Sequence, residues 1–144
     1  MDNRYLFVKI NGFKSQLFKQ ETGVPQGSVL GPLLFHIYID DIVEVINANS
    51  LLFADDLKLY NIIDSLQDSP RLQKCLDAVF VWCTRNYLML NESKCYVMIF
   101  AKKETPIIFS YILDNIILTK PEVIRDLGVV FDPKLSFNFH IESF

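Results

Sequence analysis

An α+β fold with a mainly antiparallel sheet and two main helices is the reading that accounts best for these 144 residues. Three observations predict it. Asn11-Gly12 separates two strand-like runs, and that dipeptide is the strongest short-range signal for a two-residue hairpin. Two segments repeat apolar residues at helical spacing, each behind a proline. Strand pairs alternate with those helices along the chain, which is the pattern of an α+β domain.

The elements follow in order. Tyr5 to Ile10 and Phe13 to Lys19 are the two strand-like runs of the hairpin. GVPQGSVLGP, residues 23 to 32, holds three glycines and two prolines in ten residues, so it is a turn-rich loop. Pro32 suits a first helical turn. Leu33, Leu34, Ile37, Tyr38, Ile42 and Val45 then form the apolar stripe of a helix ending at Asn47-Ala48-Asn49. Ser50 to Phe53 and Leu57 to Ile63 read as strands around an Ala-Asp-Asp turn. A second helix starts with Ser69 as cap and Pro70 at its first position. Its stripe is Leu72, Cys75, Leu76, Val79, Phe80 and Cys83. Leu88 to Asn91 is an extended piece, Tyr96 to Phe100 a strand, and Ala101 to Pro106 a polar break. Ile107 to Leu118 holds strands with a turn near Asp114-Asn115. Asp126 to Phe131 is a last strand before Asp132-Pro133. There are no repeats and no low-complexity tract.

Composition bounds the function. Half the residues are hydrophobic (51%), enough for one domain with a core. The net charge of −3 argues against a strongly basic nucleic-acid binder, but the charge is uneven: residues 1 to 20 net +3. Three cysteines without a C-x-x-C spacing exclude a zinc site or a disulfide framework and suit reduced thiols inside a cell. The N-terminus is not a signal peptide. The apolar stretch from Val29 to Ile46 is broken by Pro32, His36, Asp40, Asp41 and Glu44 and is no membrane span. Cytoplasm or nucleus, without membrane partners, is the expected location.

FADDLKLY, residues 53 to 60, poses the chemical question. Asp55 and Asp56 are neighbouring carboxylates in apolar surroundings, and they repel each other unless a cation lies between them. Adjacent aspartates at a turn usually serve the turn. They are also hard oxygen ligands that suit Mg²⁺, which commonly keeps waters and substrate phosphates in its other positions. Such a site can support two-metal phosphoryl chemistry.

Four motifs in one order resolve the choice. GVPQGSVLGPLLF at 23–35, FADD at 53–56, WCTRNYLMLNESK at 82–94 and LGVVFD at 127–132 resemble the reverse transcriptases of non-LTR retrotransposons, most closely the jockey-type elements of arthropods. The resemblance covers nearly the whole chain. It implies part of a reverse-transcriptase palm: residues 1–104 with the loop-helix motif, the FADD hairpin and the following helix, and residues 105–144 as the end of the palm with a primer-grip hairpin toward a thumb. It implies RNA-directed DNA polymerase chemistry with Mg²⁺, or Mn²⁺, as cofactor, and RNA template, DNA primer and deoxynucleoside triphosphate as partners.

Carried over residue by residue, Asp55 is the main metal ligand and Asp56 its weaker neighbour. Gln26 and Gly27 lie against the incoming nucleotide and template base, where glycine permits close backbone approach. Phe53 and Ala54 shape the floor near the primer end. Lys94 is the candidate acid for the pyrophosphate leaving group. Leu127, Gly128 and Val129 belong to the primer grip.

The family's further aspartate, on a strand before the NG hairpin, has no counterpart: Asp2 is the only acidic residue before position 21. A severed half-palm inactive alone is therefore expected. It should expose Ile37, Tyr38 and Leu52 and tend to self-associate. The alternative is a non-catalytic, transposon-derived remnant or co-opted binding module. An unrelated Mg²⁺ phosphohydrolase would need another carboxylate. Outside the resemblance, Asp40 and Asp41 suit a solvated helix end, and His36 and His140 ordinary packing or surface roles. Trp82, Tyr87 and the cysteines of the second helix suit packing, and Lys102 and Lys103 a solvated loop.

Overall fold

The computed structural model describes residues 4–20, 23–24, 27–101 and 106–143. The chain divides into two compact units, Met1–Asp40 and Asp41–Phe144. The fold class is α+β, with antiparallel strands arranged as five separate two-stranded ladders rather than one sheet.

The first unit is a long hairpin followed by a helix. Strands β1 (Arg4–Leu6) and β4 (Phe18–Gln20) pair antiparallel, with Tyr5 opposite Lys19. Nearer the tip, β2 (Lys9–Ile10) and β3 (Phe13–Lys14) pair with Lys9 opposite Lys14. Asn11 and Gly12 both have positive φ, 49° and 87°, the sign pattern of a type I′ turn. The two ladders differ in register by one residue, so the return strand bulges between Ser15 and Leu17. Helix α1 runs from Gly31 to Ile39 with Pro32 in its first turn, and Ser28 Oγ accepts the Gly31 N–H at 3.0 Å.

The expected single helix to Asn47 is interrupted. Asp41 has ψ of −4°, which opens the i→i−4 ladder, and aspartate is a poor interior helix residue because it competes for backbone bonds. A short helix, α2 (Ile42–Val45), follows in the second unit.

In that unit β5 (Asn49–Phe53) and β6 (Asp56–Tyr60) form a tight hairpin. Helix α3 runs from Asp68 to Arg85, starting two residues before the expected position. Asp68, not Ser69, makes the end contacts: its Oδ2 accepts from Ser65 N at 2.8 Å, Ser65 Oγ at 2.8 Å and Asp64 N at 3.2 Å. At the other end the Leu88 N–H reaches Cys83 O (2.9 Å) and the Tyr87 N–H reaches Thr84 O (3.3 Å). This is a Schellman closure with Tyr87 in the left-handed position, φ 55°. The closure turns the Tyr87 ring out to solvent, 94% exposed, which corrects the expectation of packing, whereas Trp82 is buried.

The core lies between α3 and a third hairpin, β7 (Ile112–Leu113) and β8 (Ile116–Ile117), which turns at Asp114-Asn115. Tyr111, Leu113 and Leu118 are buried, with Leu72, Leu76, Phe80, Leu90, Cys95, Val97 and Phe109 packed on them. Cys75, Val79 and Cys83 continue the α3 stripe into the interior, the burial of Val79 contributing about 1.5–3 kcal/mol. The three thiols are free, and burial pushes that of Cys83 up. The expected strand at Tyr96–Phe100 is reduced to one parallel bridge, Tyr96 to Thr119, with Val97 N donating to Thr119 O at 2.9 Å. It has no longer ladder to join among the described residues. In place of the single last strand there is a hairpin, β9 (Ile124–Asp126) and β10 (Val129–Phe131). A turn centred on Asp132 then leads into α4 (Asn138–Glu142), which packs on β10. No helix among the described residues is long and apolar enough to cross a membrane.

Candidate active site

The β5–β6 register decides where the aspartates stand. Phe53 is opposite Asp56, so the turn has two residues, Ala54 and Asp55, and Asp56 is already the first residue of β6. Ala54 has φ of 51° and Asp55 does not follow it into the left-handed region. Only the first central residue is left-handed, as in a type II′ turn, where glycine is preferred. Alternation then sorts the hairpin into two faces. Ser50, Leu52, Leu57 and Leu59 share one face and are half-buried, with β6 packed near α3. Asn49, Leu51, Phe53, Asp56, Lys58 and Tyr60 share the other. Phe53 is 61% exposed there, and Asp55 and Asp56 are both exposed at the tip. The exposed large apolar residues of this hairpin are thus Leu51, Phe53 and Tyr60, not Leu52. Ile37 and Tyr38, in the first unit, are exposed as expected.

One contact joins two of the anticipated segments. Lys58 Nζ lies 2.8 Å from Asp126 Oδ2, tying β6 to the strand that precedes Leu127. Leu127 and Gly128 are the two turn residues of the β9–β10 hairpin, with φ of 46° and 86°, and Val129 opens β10. Leucine is a poor residue for such a position, and it is 55% exposed. Neither Lys58 nor Asp126 was singled out in the sequence. Lys58 shares the Asp56 face by simple alternation, which was a usable signal, but nothing in the sequence names its partner.

Lys94 ends a 3₁₀ turn, Glu92–Lys94, and is exposed, with its backbone N–H on Asn91 O at 3.0 Å. It forms no ion pair with Asp55 or Asp56 among the described residues. Gly27 is exposed with φ of 75°, a conformation suited to glycine. Gln26 lies outside the described residues, as do Lys102 and Lys103.

The donor set at the hairpin tip fits part of a divalent-metal site. Two adjacent, solvent-facing carboxylates can hold a hard cation that keeps water or phosphate oxygens elsewhere. No group of three or more histidine, cysteine, aspartate or glutamate side chains is placed to hold a metal among the described residues.

Comparison with known proteins defines the class. Residues 2–131 match the family model described as "Reverse transcriptase (RNA-dependent DNA polymerase)", and the chain belongs to that family. It is similar to the probable RNA-directed DNA polymerase from transposon BS of Drosophila melanogaster, 29% identical over 99% of this chain and 17% of that protein. It is 31% identical to the RNA-directed DNA polymerase from mobile element jockey of the same organism, again over 99% of this chain and 16% of the relative. The corresponding jockey polymerase of Drosophila funebris is 29% identical. The chain therefore spans about a sixth of the length of these relatives. No solved structure matches it. Reverse transcriptases act on nucleic acid and use divalent metal ions, and the match covers the FADD hairpin.

Proposed function

We propose that this chain is the section of a non-LTR retrotransposon polymerase palm that carries the catalytic aspartate hairpin. Residues 1–104 form palm and residues 105–144 its end, including a primer-grip hairpin. In the whole polymerase the reaction is transfer of a deoxynucleotide to a DNA primer on an RNA template. Asp55, with Asp56 beside it, would hold Mg²⁺ or Mn²⁺, which when bound supplies Lewis-acid stabilisation of phosphate oxygens. Phe53, on the same face as Asp56, and Ala54 lie under the primer end. Gln26 and Gly27 approach the incoming nucleotide and template base. Lys94 delivers a proton to the pyrophosphate leaving group. Leu127, Gly128 and Val129 hold the primer strand.

The observation that carries this reading is the FADD tip. A strained two-residue turn holds both carboxylates in solvent, inside a chain matched to reverse transcriptases over residues 2–131. The Lys58–Asp126 contact supports the pairing of that hairpin with the primer-grip segment. With two carboxylates rather than three, the chain alone has little or no polymerase activity, and its exposed Leu51, Phe53 and Ile37 favour self-association.

The test is a graft. This chain replaces the corresponding sixth of the jockey polymerase, and primer extension is measured on an RNA template with Mg²⁺ or Mn²⁺. Extension by the graft, with background levels after Asp55→Ala, is the expected result. A folded graft whose extension survives Asp55→Ala and Asp56→Ala together would overturn the assignment. Extension above background by the isolated chain would sink the statement that it is inactive alone.

A further inference from the structure

The N-terminal hairpin has two chemically different faces. Alternation along residues 4–10 puts Tyr5, Phe7 and Lys9 on one face and Arg4, Leu6, Val8 and Ile10 on the other. The ladders then add the return strand: Lys19 opposite Tyr5 and Lys14 opposite Lys9 on the first face, Phe18 opposite Leu6 and Phe13 opposite Ile10 on the second. One contact shows that the alternation persists past the bulge. Lys14 Nζ lies over the Phe7 ring, 4.9 Å from its centroid. The first face therefore carries three lysines and two aromatic rings, Tyr5 at 58% and Phe7 at 44% exposure.

Its electrostatics are one-sided. Lys9 and Lys14 stand directly opposite each other, an arrangement that destabilises a ladder unless a counter-charge is near. Residues 4 to 20 contain no aspartate or glutamate. None of the three lysines forms an ion pair among the described residues. A chain of net charge −3 has thus gathered three of the four cations of residues 4–20 on one face, with Arg4 on the other, and set aromatic rings among the three. Single-stranded nucleic acid is recognised by that combination, phosphates on cations and bases on ring faces.

We propose that this face of the 4–20 hairpin binds single-stranded nucleic acid, with phosphates on Lys9, Lys14 and Lys19 and bases stacked on Tyr5 and Phe7. The proposal deepens the polymerase reading but does not depend on the aspartates. It is tested with the full chain in EDTA, so that failure of the FADD assignment and failure of this one are read separately.

The experiment is fluorescence anisotropy of labelled short uridine RNA, thymidine DNA and a duplex, titrated at several salt concentrations. Binding of the single strands in preference to the duplex is expected. Replacing Lys9, Lys14 and Lys19 with glutamine should reduce the slope of log K against log salt by about 2, at about 0.7 per phosphate released. Tyr5→Ser with Phe7→Ser should weaken binding about thirtyfold or more while leaving the slope unchanged. Phe13→Ser, on the opposite face, should change neither. Circular dichroism shows whether each variant keeps its fold. Equal salt slopes for the lysine variant and the parent would overturn the proposal. So would a loss in Phe13→Ser as large as that in the aromatic variant, or lysine-dependent binding to anionic vesicles with none to the oligonucleotides.

Discussion

The side-chain amide of Gln73 completes both halves of a backbone pair with Ile112. Gln73 Nε2 donates to Ile112 O at 2.8 Å, and the Ile112 N–H donates to Gln73 Oε1 at 2.9 Å. A helix side chain thereby substitutes for a strand at the edge of β7, and the same Nε2 also reaches Asp77 Oδ1 at 2.7 Å. This places α3 in fixed register on the hairpin that supplies Leu113 to the core.

Gln73→Leu should therefore destabilise the chain by about 1–2 kcal/mol, since it leaves both backbone groups of Ile112 without a protein partner. Gln73→Glu keeps the acceptor but sets a carboxylate against the Ile112 carbonyl and Asp77, so its loss should be at least as large. Urea denaturation followed by far-UV circular dichroism measures both. Equal stability of all three proteins would show that water replaces the amide without loss.

Tyr87 and Leu127 are among the left-handed positions that hold residues resisting that conformation. Tyr87 closes α3 and Leu127 opens the turn of the β9–β10 hairpin. Tyr87→Gly and Leu127→Asn should each raise stability by about 0.5–1 kcal/mol, because glycine and asparagine accept positive φ at lower cost. The second should also weaken primer binding in the grafted polymerase if the exposed Leu127 side chain touches the primer. Stabilisation with unchanged primer affinity would remove Leu127 from the proposed grip.

Acid stability should rest on two carboxylates. Burial alone would raise Asp132, but hydrogen bonds from Ser136 Oγ and from the backbone of Lys134, Phe137 and Ser136 outweigh it and hold its carboxyl below the usual range. The Ser65 hydroxyl, followed by the Ser65 backbone, does the same for Asp68. A carboxyl with a lower pKa in the folded chain contributes stability above its unfolded value, about 3.9, and loses it as pH falls through the folded value. Stability should thus be level near neutrality and decline below about pH 4. Asp132→Asn and Asp68→Asn should each flatten that decline. A decline of unchanged steepness in both variants would assign it to other groups.

How much of this was legible in the sequence depended on whether a feature is local. The NG turn, the α3 stripe from Leu72 to Cys83 and the FADD hairpin are set by neighbours within a few residues, and each is present. The helix break at Asp40-Asp41 was readable in principle, since two adjacent aspartates disfavour a helix interior. The start of α3 at Asp68 turned on a carboxylate reaching backward to Ser65, where the forward Ser-Pro signal had suggested Ser69. The Gln73–Ile112 and Lys58–Asp126 contacts join residues far apart in sequence and left no periodic trace. Tyr96 to Phe100 has strand composition, but pairing requires a neighbouring edge, and among the described residues only Thr119 meets it.

Metal binding at the tip of the β5–β6 hairpin should be weak and specific to that tip. Asp55 and Asp56 face solvent, and neither an acidic cluster nor a histidine adds to them among the described residues. A site with two protein ligands leaves most of the coordination shell to water, so a dissociation constant on the order of 10⁻³ M is expected. Mn²⁺ titration followed by electron paramagnetic resonance measures it through the loss of free-ion signal. Asp55→Asn with Asp56→Asn should weaken binding about tenfold or more. Asp40→Asn with Asp41→Asn is the matched control, since that exposed adjacent pair lies in the break between α1 and α2. Unequal effects in the stated direction would assign the ion to the FADD turn. Equal effects would mean that Mn²⁺ samples any pair of surface carboxylates, and the hairpin would then need the rest of the polymerase to become a metal site.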